Sequence, residues 1–460
     1  MLDQTRAQQI FDKVKKFSSV DELEILFVAG TSSLTRFANN TIHQNVAESS
    51  ELASIRVAFD GKTARATTNR FDDASLKRAV ESAESIARVQ EPNPDLLPLA
   101  PADDAKPGQP APSRWFDQTA AITPADRAQA VSEIVAVAKK NSLTTAGIYS
   151  SAQSFEGVIN SKGLATFHRR TSSETSITML APDSSGWQKA NSPDVRNLHH
   201  VRLAELAAQK ARDSRAPQEL PPGKYTVVLE PAAVLDLVGF MFWDFGGMAI
   251  LDQRSFLNNR IGTQLFGENI TITDDVYHPL QSGAPFDGEG VRRKKVALVE
   301  KGVIKRMVYS RGTAEKMRHS EHADKVGQIE VTGHGFPLPN EIGEAPMNIV
   351  FVTSGGEQSL EQMIAGTDRG ILITRLWYIR EVDPYEKILT GMTRDGTFLI
   401  EGGKIEHGIR NFRFNQSLIE MLSHVEAIGK PVRASGEESF DMVAPAMKVQ
   451  DFNFTEVTKF

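Results

Sequence analysis

One short segment of the sequence holds several side chains that could bind a metal ion, Arg318–His322. Within it, His319 and His322 are three residues apart, and Glu321 lies beside them. On a helix, this spacing would place both imidazoles on one face. A catalytic zinc site usually has three protein ligands, however, and a lone His-x-x-His pair in a polar stretch is more often solvated. The sequence therefore favours an exposed helix or loop here over a metal site.

A second group of polar side chains falls on a predicted strand over residues 33–47. It consists of Arg36, Asn39, His43 and Gln44. Because successive side chains of a strand point to opposite faces, this strand would be polar on both faces. Such a strand fits poorly into a core. We predict that it borders a peptide groove or a partner subunit, or that it is an exposed edge strand.

The basic run Arg292–Lys295 raises the question of nucleic-acid binding. A nucleic-acid surface would need more positive charge and interleaved aromatic residues. The formal net charge of the chain is −6 at pH 7, which also argues against general binding of polyanions. We expect the run to lie at a strand edge, where lysine discourages edge pairing, and we expect no nucleic-acid partner.

The bulk composition is that of a multidomain protein. At roughly 100–200 residues per domain, a chain of 460 residues should contain two to four domains. The sequence has no cysteine, which rules out disulfides and thiolate ligands and suits a reducing compartment. No secretory h-region occurs at the N-terminus, and no apolar run is long enough to span a membrane. We therefore expect a cytoplasmic protein without a membrane anchor.

The first half of the chain shows helix and strand patterns twice. An amphipathic helix over residues 4–17, strands, an Asp60-Gly61 hairpin and a helix that Asp72 or Asp73 can cap and that runs to about residue 89 form the first unit. A proline-rich linker follows, with prolines at positions 92, 94, 98, 101, 107, 110 and 112. The second unit begins with a helix capped by Thr123 and closes with a helix over residues 199–212. We place the N-terminal α/β unit at 1–90, the linker at 91–113 and the middle α/β unit at 114–217.

The remainder, 218–460, is predicted to be a largely antiparallel β domain around one buried helix, which makes the fold class α+β. That helix begins at Pro231 and is apolar on every side. Gly246-Gly247 should end it, because glycine adopts the left-handed conformation that closes many helices. A closing helix is expected over residues 417–428.

This buried helix also carries a resemblance. Together with the segments TRFANNTIHQN (35–45) and ENITITDD (268–275), it resembles the TldD/PmbA (TldD/TldE) family, in this order and over nearly the whole chain. The resemblance implies a zinc metallopeptidase built from two homologous subunits. The catalytic subunit of that family carries His-Glu-x-x-x-His on this helix and a cysteine ligand nearer the C-terminus.

The matching positions in this chain lack the zinc ligands. Counted from Pro231, they read Gly239, Phe240 and Asp244, where the motif has histidine, glutamate and histidine. Two residues five apart on an α-helix also lie about 140° apart around its axis, so a shared metal would need a local distortion. Gly239 could permit one, but Phe240 and Trp243 would fill the space. The resemblance thus implies a PmbA/TldE-like subunit with no catalytic residue and no metal ligand of its own.

From this resemblance we expect a heterodimer with a TldD-like chain that supplies zinc and His-Glu-x-x-x-His. This chain would form part of a channel for unfolded peptides, and the candidate channel residues are Arg36, Asn39, His43 and Trp243. Whether the chain pairs with itself when alone stays open. Two alternatives also stay open. One is a stand-alone metallopeptidase with a different metal site, and the other is a peptide-binding or assembly protein without hydrolase activity.

Overall fold

The first half of the chain folds into one antiparallel sheet of six strands in the order β3-β2-β1-β4-β5-β6. These strands are β1 Glu22–Ala38, β2 Thr41–Phe59, β3 Lys62–Thr68, β4 Thr144–Asn160, β5 Ala165–Leu180 and β6 Ser185–Ser192. The structure is a computed structural model, and it describes residues 2–106, 108 and 110–458. Position 107 of the predicted linker therefore lies outside the described residues. The strands of both predicted N-terminal units join in this one sheet, and the predicted domain boundaries stay a prediction.

Five α-helices accompany this sheet in the described residues. Two pack on each half of the sheet, and the fifth, Asp117–Ala120, is a single short turn of helix. They are α1 Gln4–Phe17, α2 Asp73–Val89, α3 Asp117–Ala120, α4 Pro124–Lys140 and α5 His200–Asp213. The helices α1 and α2 cover one half of the sheet with alternate residues of β1 such as Ile25 and Phe27. The helices α4 and α5 cover the other half around Phe37 and Ile177. The order helix, three strands, helix thus occurs twice, as the two sequence patterns predict.

Local signals placed several of these boundaries correctly. Asp72 accepts a hydrogen bond from Ser75 N and caps α2. Thr123 caps α4 and forms a capping box with Asp126. The Asp60-Gly61 pair adopts positive φ values of 50° and 71°, which is the conformation that a two-residue hairpin needs.

The predicted strand over residues 33–47 is wrong in one respect. The chain reverses at Asn39 and Asn40, which have φ values of 50° and 60° and join β1 to β2 in a two-residue hairpin. Asparagine tolerates the left-handed region better than most residues, so the Asn-Asn pair was the available turn signal. Arg36 therefore belongs to β1, whereas His43 and Gln44 belong to β2.

The second half of the chain contains two further sheets. One has the order β10-β9-β8-β11-β18-β17, and the other has the order β12-β7-β19-β15-β13-β14 with β16 beside β19. The strands are β7 Gly223–Leu229, β8 Ile272–Asp274, β9 Val296–Glu300, β10 Val303–Ile304, β11 Ile349–Phe351, β12 Arg369–Asp383, β13 Ile388–Glu401, β14 Lys404–Gly408, β15 Phe412–Ser417, β16 Val425–Ile428, β17 Val432–Ala434, β18 Met442–Ala444 and β19 Met447–Val457. Strand β12 pairs with both β7 and β13, so β12, β7, β19, β15 and β13 form a closed ring.

Five short helices connect these strands within the described part of the chain. They are α6 Pro231–Val238, α7 Gly247–Leu251, α8 Arg311–Arg318, α9 Leu360–Ala365 and α10 Leu418–Ser423. The α6 helix follows β7 directly, begins with Pro231 at its first position and buries every residue from Ala233 to Val238. Its side chains meet the ring and the second sheet in one large apolar core. The predicted α+β class, with an antiparallel-rich C-terminal domain around a buried helix, is confirmed.

The predicted end of the central helix is wrong. The α-helical turn stops at Val238, and Gly239–Phe245 continues as a 3₁₀ helix. Gly246 is extended, with a φ of −81°, and does not adopt the left-handed conformation. These glycines serve close packing, because a Cβ at Gly246 would overlap the carbonyl oxygen of Glu344 and one at Gly247 would overlap the ring of Tyr309.

Two predictions near the C-terminus also need correction. The closing helix over residues 417–428 ends after six residues, and its second part is strand β16. The alternating pattern over residues 404–414 predicts one strand, but the segment forms two, β14 and β15, which pair with opposite ends of the same edge of β13. In both places, pairing with distant strands decides the conformation, and apolar periodicity within a short window does not contain that information.

Three arginines bind the loop over residues 276–282, two from the first half of the chain and one from the second. Arg114 donates hydrogen bonds to the carbonyl oxygens of Val276, His278 and Pro279 over 2.8–3.1 Å. Arg170 reaches the carbonyl of Ser282 at 3.2 Å, and Arg433 reaches that of Leu280 at 2.9 Å. The loop over residues 276–282 is thus fixed from both sides, which sets the N-terminal sheet against the C-terminal domain.

Candidate functional site

The three positions that match the metal-binding motif lie where α6 gives way to the 3₁₀ helix. Gly239 is buried and packs directly against Ser439, from the loop between β17 and β18. A Cβ at position 239 would overlap the hydroxyl oxygen of Ser439. No histidine could therefore stand at this position without displacing that loop.

The loop that carries Ser439 is anchored by Asp236, one helical turn before Gly239. The Asp236 carboxylate accepts hydrogen bonds from the backbone N–H groups of Glu437 and Glu438, at 3.1 Å and 2.9 Å to Oδ1. Burial raises the pKa of Asp236 to about 7, although both backbone donors favour the charged form. The helix that carries Gly239 thus also holds, through Asp236, the loop whose Ser439 packs against Gly239.

Asp244, the last of the three positions, is engaged in a buried ion pair. Its Oδ2 lies 2.6 Å from Lys387 Nζ, and both side chains are less than a tenth exposed. Lys387 also lies 2.7 Å from a carboxylate oxygen of Glu381, and Asp244 Oδ1 accepts a bond from Phe256 N at 3.2 Å. Burial raises the pKa of Asp244, while Lys387 opposes that shift. One oxygen of this carboxylate thus faces a lysine ammonium, and the other accepts a backbone N–H.

Trp243 points outward from the same 3₁₀ helix and is 43% exposed. Its ring stacks on Phe336 with centroids 6.0 Å apart. Together with Phe240 and Phe440 it lines a groove of about 390 Å³, whose remaining lining residues are Gly239, Glu437, Glu438 and Ser439. The groove offers aromatic surface and two carboxylates. Two of its lining residues, Gly239 and Phe240, are positions that match the metal-binding motif.

The histidines of Arg318–His322 do not form a metal site. The helix α8 ends at Arg318, so His319 and His322 share no helical face. His319 is 74% exposed, and its Nδ1 lies 3.0 Å from the carbonyl oxygen of Glu315. Among the described residues, no group of three histidine, aspartate or glutamate side chains is arranged to hold a metal ion.

The zinc that the resemblance implies therefore does not fit the residues at this position. Gly239 supplies no donor, Phe240 supplies an aromatic ring, and the carboxylate of Asp244 is neutralised by Lys387. A zinc site needs several imidazole, thiolate or carboxylate donors with free lone pairs. The sequence already showed the lost ligands, but Ser439 and Lys387 lie far away along the chain, and no local pattern marked them as the residues that fill the site.

The hairpin residues lie apart from the groove. Arg36, Asn39 and His43 are all exposed, and the described residues show no hydrogen bond, ion pair or ring contact between them and Trp243. Gln44 pairs with Arg36 across the ladder, and Ile42 pairs with Phe37, so His43 is the extra residue of a β-bulge. The assignment of Arg36, Asn39 and His43 to a peptide channel stays a prediction.

Each side chain of the basic run makes a contact within the chain. Arg292 lies over the ring of Tyr277 at 5.3 Å, and Arg293 donates to the carbonyl oxygen of Phe286. Lys294 pairs with Glu330 and Lys295 pairs with Asp275, each at 3.0 Å. These contacts belong to the packing of the loop before β9. No helix in the described residues has the length and apolar character to cross a membrane.

Family models match two parts of the chain. The model described as the PmbA/TldA metallopeptidase C-terminal domain matches residues 222–456, and the one described as PmbA/TldA metallopeptidase domain 1 matches residues 23–87. The first match alone covers half of the chain, including α6, the 3₁₀ helix and the loop with Ser439.

Individual relatives agree with these models. The metalloprotease PmbA of Escherichia coli O157:H7 is 21% identical over 447 residues, which span 93% of this chain and 91% of that protein. A metalloprotease of Methanocaldococcus jannaschii is 25% identical over 243 residues, 52% of this chain and 50% of that protein. The crystal structure of TldE from Thermococcus kodakarensis superposes with a TM-score of 0.84 at 20% identity, over 98% of this chain and 100% of that one. The overall fold is therefore shared along the whole length.

Proposed function

Because the chain belongs to the TldD/PmbA metallopeptidase family, we propose that it is the non-catalytic, TldE-like subunit of a heterodimeric zinc metallopeptidase. A TldD-like partner supplies the His-Glu-x-x-x-His helix and the zinc. When bound there, zinc activates a water molecule for attack on a peptide bond. The assembly degrades or processes unfolded peptides, and we place it in the cytoplasm.

The observation that carries this proposal is the way the ligand positions are filled. Ser439 occupies the space that a side chain at position 239 would need, and Lys387 neutralises Asp244. A catalytic site that had merely lost its ligands would leave polar space for water. Here the space is closed by packing and by an ion pair, which suits a chain selected for structure at this position.

The contribution of this chain is a wall of the peptide channel. Trp243, Phe240 and Phe440 offer apolar surface above the filled site, and the groove is open to an extended chain. Aromatic side chains provide contact area with little loss of conformational freedom, so they suit weak binding of many sequences. The exposed hairpin with Arg36, Asn39 and His43 would be a second, separate part of the channel wall, on the N-terminal sheet.

Reconstitution tests the proposal. The isolated chain should not cleave an unfolded, fluorescently quenched peptide, whereas addition of a purified His-Glu-x-x-x-His partner should produce cleavage that a chelator abolishes. His319→Ala combined with His322→Ala should leave the reconstituted activity unchanged, since neither residue belongs to the site. Peptidase activity of the isolated chain that this double variant removes would instead support a stand-alone enzyme. Peptide binding without activity in any mixture would favour a binding or assembly protein.

A further inference from the structure

The groove at Trp243 combines aromatic rings with negative charge. Among the described residues that line it are three aromatic side chains, Trp243, Phe240 and Phe440, and the carboxylates of Glu437 and Glu438, but no lysine, arginine or histidine. The face of an aromatic ring carries partial negative charge and attracts cations, and neighbouring carboxylates strengthen that attraction. The chemistry of this lining therefore favours a positively charged group of the ligand.

The loop that carries both glutamates presents its side chains, and not its backbone donors, to the groove. The buried carboxylate of Asp236 accepts the backbone N–H groups of Glu437 and Glu438. These two donors are therefore already used and do not offer a site for an anion. The charged groups that the loop contributes to the groove are the two side-chain carboxylates.

The carboxylate of Glu438 is oriented by an irregular turn of β12. Tyr378 lies in a β-bulge of this strand and has a φ of 55°, a value that is rare for an aromatic residue. Its N–H donates to Glu438 Oε1 at 2.7 Å. Oε2 lies 3.6 Å from Arg380, whose side chain is 58% exposed. One oxygen of Glu438 is thus fixed by the backbone, and the other can accept a further donor.

The carboxylate of Glu437 has still more capacity to accept hydrogen bonds. Its Oε1 lies 3.6 Å from Lys189 Nζ and 3.9 Å from Arg375 Nη1, which is beyond hydrogen-bond distance. Both cations make closer contacts elsewhere, Lys189 with the carbonyl oxygen of Gly436 and Arg375 with Asp395, each at 2.8 Å. In the part of the chain that the structure describes, no group donates a hydrogen bond to this carboxylate. Glu437 can therefore bind an incoming ammonium or guanidinium group.

We infer that this groove binds lysine and arginine side chains of the substrate, so that basic peptides are the preferred substrate class. At about 390 Å³ the groove is large enough for one long side chain. The aliphatic part of that side chain packs on the aromatic rings, and its charged end donates to Glu437 and Glu438. The inference rests on the proposed function, because it names the side chains that the channel of that enzyme favours.

Two matched peptides test this preference in the complex reconstituted with a His-Glu-x-x-x-His partner. One is an unfolded, fluorescently quenched peptide with lysines on both sides of the cleaved bond. The other carries methionine at these positions, which is unbranched like lysine but uncharged. Both are acetylated at the N-terminus, so that no α-ammonium group competes. We expect kcat/KM to be about tenfold or more higher for the lysine peptide, because only this peptide forms the charge-assisted bonds.

Neutral substitutions assign the preference to this groove. Glu437→Gln combined with Glu438→Gln removes both charges, while the amide oxygen at position 438 can still accept the N–H of Tyr378. This double variant should cleave the two peptides with nearly equal kcat/KM. The matched control is Glu300→Gln combined with Glu456→Gln, which removes the same charge from side chains that are 60% and 69% exposed and do not line the groove. The control should keep the full preference for lysine.

Peptide binding by the isolated chain is a second measurement, and it needs no catalysis. By fluorescence anisotropy, the labelled lysine peptide should bind more tightly than the methionine peptide, and the double glutamine variant should lose this difference. The inference would be overturned if an active complex cleaves both peptides equally or if the double glutamine variant keeps the preference, and the proposed function would then still stand. If the complex cleaves neither peptide, the proposed function fails, and equal affinities of the isolated chain for the two peptides would overturn the inference as well.

Discussion

At the scale of single residues, the former metal position is explained by three side chains that the family motif does not contain. Ser439 fills the space beside Gly239, Lys387 pairs with Asp244, and Asp236 anchors the loop that brings Ser439 into place. Each of these contacts joins residues that are far apart along the chain. The Asp244–Lys387 pair is buried on both sides, and Gly239 and Asp236 are the buried partners of the other two contacts, so each contact should be visible in the free energy of unfolding.

The Asp244–Lys387 pair gives the first prediction. Lys387→Met leaves the buried carboxylate of Asp244 without its cation and should lower the free energy of unfolding by about 3–5 kcal/mol. Asp244→Asn combined with Lys387→Met should recover most of that loss, because no charge then remains unpaired. Urea unfolding followed by circular dichroism measures both.

Lys295→Met removes an exposed partner of Asp275 and should cost about 1 kcal/mol or less. Equal losses for the two lysine variants would contradict the buried pair.

Asp236 predicts a dependence of stability on pH. Burial raises its pKa to about 7 in the folded chain, against 3.8 as the ordinary value, so the folded chain binds this proton more tightly than the unfolded chain. Its contribution is therefore full below about pH 4, falls as the pH rises to about 7 and is constant above that, with a total change of a few kcal/mol.

Asp236→Asn isolates this contribution from other groups that titrate in the same range. The amide oxygen can keep the bonds to the backbone of Glu437 and Glu438, but the side chain no longer titrates. The difference in free energy of unfolding between the variant and the unchanged chain should therefore grow in favour of the variant from pH 4 to pH 7. A difference that stays constant over this range would show that Asp236 is charged throughout.

At the scale of elements, the sequence predicts what local signals control. The caps at Asp72 and Thr123 and the Asp60-Gly61 turn placed α2, α4 and a hairpin correctly, because their hydrogen bonds form within a few residues. The predicted end of the central helix was wrong because Gly246 packs against Glu344 and Gly247 packs against Tyr309. These partners are distant in sequence, so no local pattern indicates the contacts.

In the candidate site, too, some features follow from the sequence and others depend on contacts between distant residues. The absence of the motif's metal ligands at positions 239, 240 and 244 could be predicted from the sequence through its resemblance to the family. The 3₁₀ conformation there, the loop with Ser439 and the ion pair with Lys387 could not, because tertiary packing determines all three. The Asn39-Asn40 turn was only partly predictable. The sequence contains a dipeptide that tolerates positive φ, but Asn-Asn indicates a hairpin turn less strongly than Asn-Gly does.

The close contact at Gly239 gives a prediction for this element. Gly239→Ala places a methyl group against Ser439 and should cost about 1–3 kcal/mol through overpacking. Ser439→Gly in the same chain should relieve the clash, so the double variant should be more stable than the sum of the single effects. Thermal unfolding of the four chains forms a double-mutant cycle. Additive effects would show that the loop does not rest on Gly239.

At the scale of the whole molecule, one loop fixes the two halves of the chain relative to each other. The loop over residues 276–282, held by Arg114, Arg170 and Arg433, fixes the N-terminal sheet relative to the ring of strands. The aromatic groove at Trp243 therefore has a defined position relative to the N-terminal sheet. In the proposed enzyme, the partner provides the reactive metal, and this chain provides surface and shape.

The most direct test of this account is the zinc content of the isolated chain and of its complex with a His-Glu-x-x-x-His partner, measured by elemental analysis after dialysis. The account predicts no stoichiometric zinc in the isolated chain and about one zinc for each heterodimer, because only the partner has a complete set of ligands. About one zinc for each isolated chain, retained through dialysis, would contradict it.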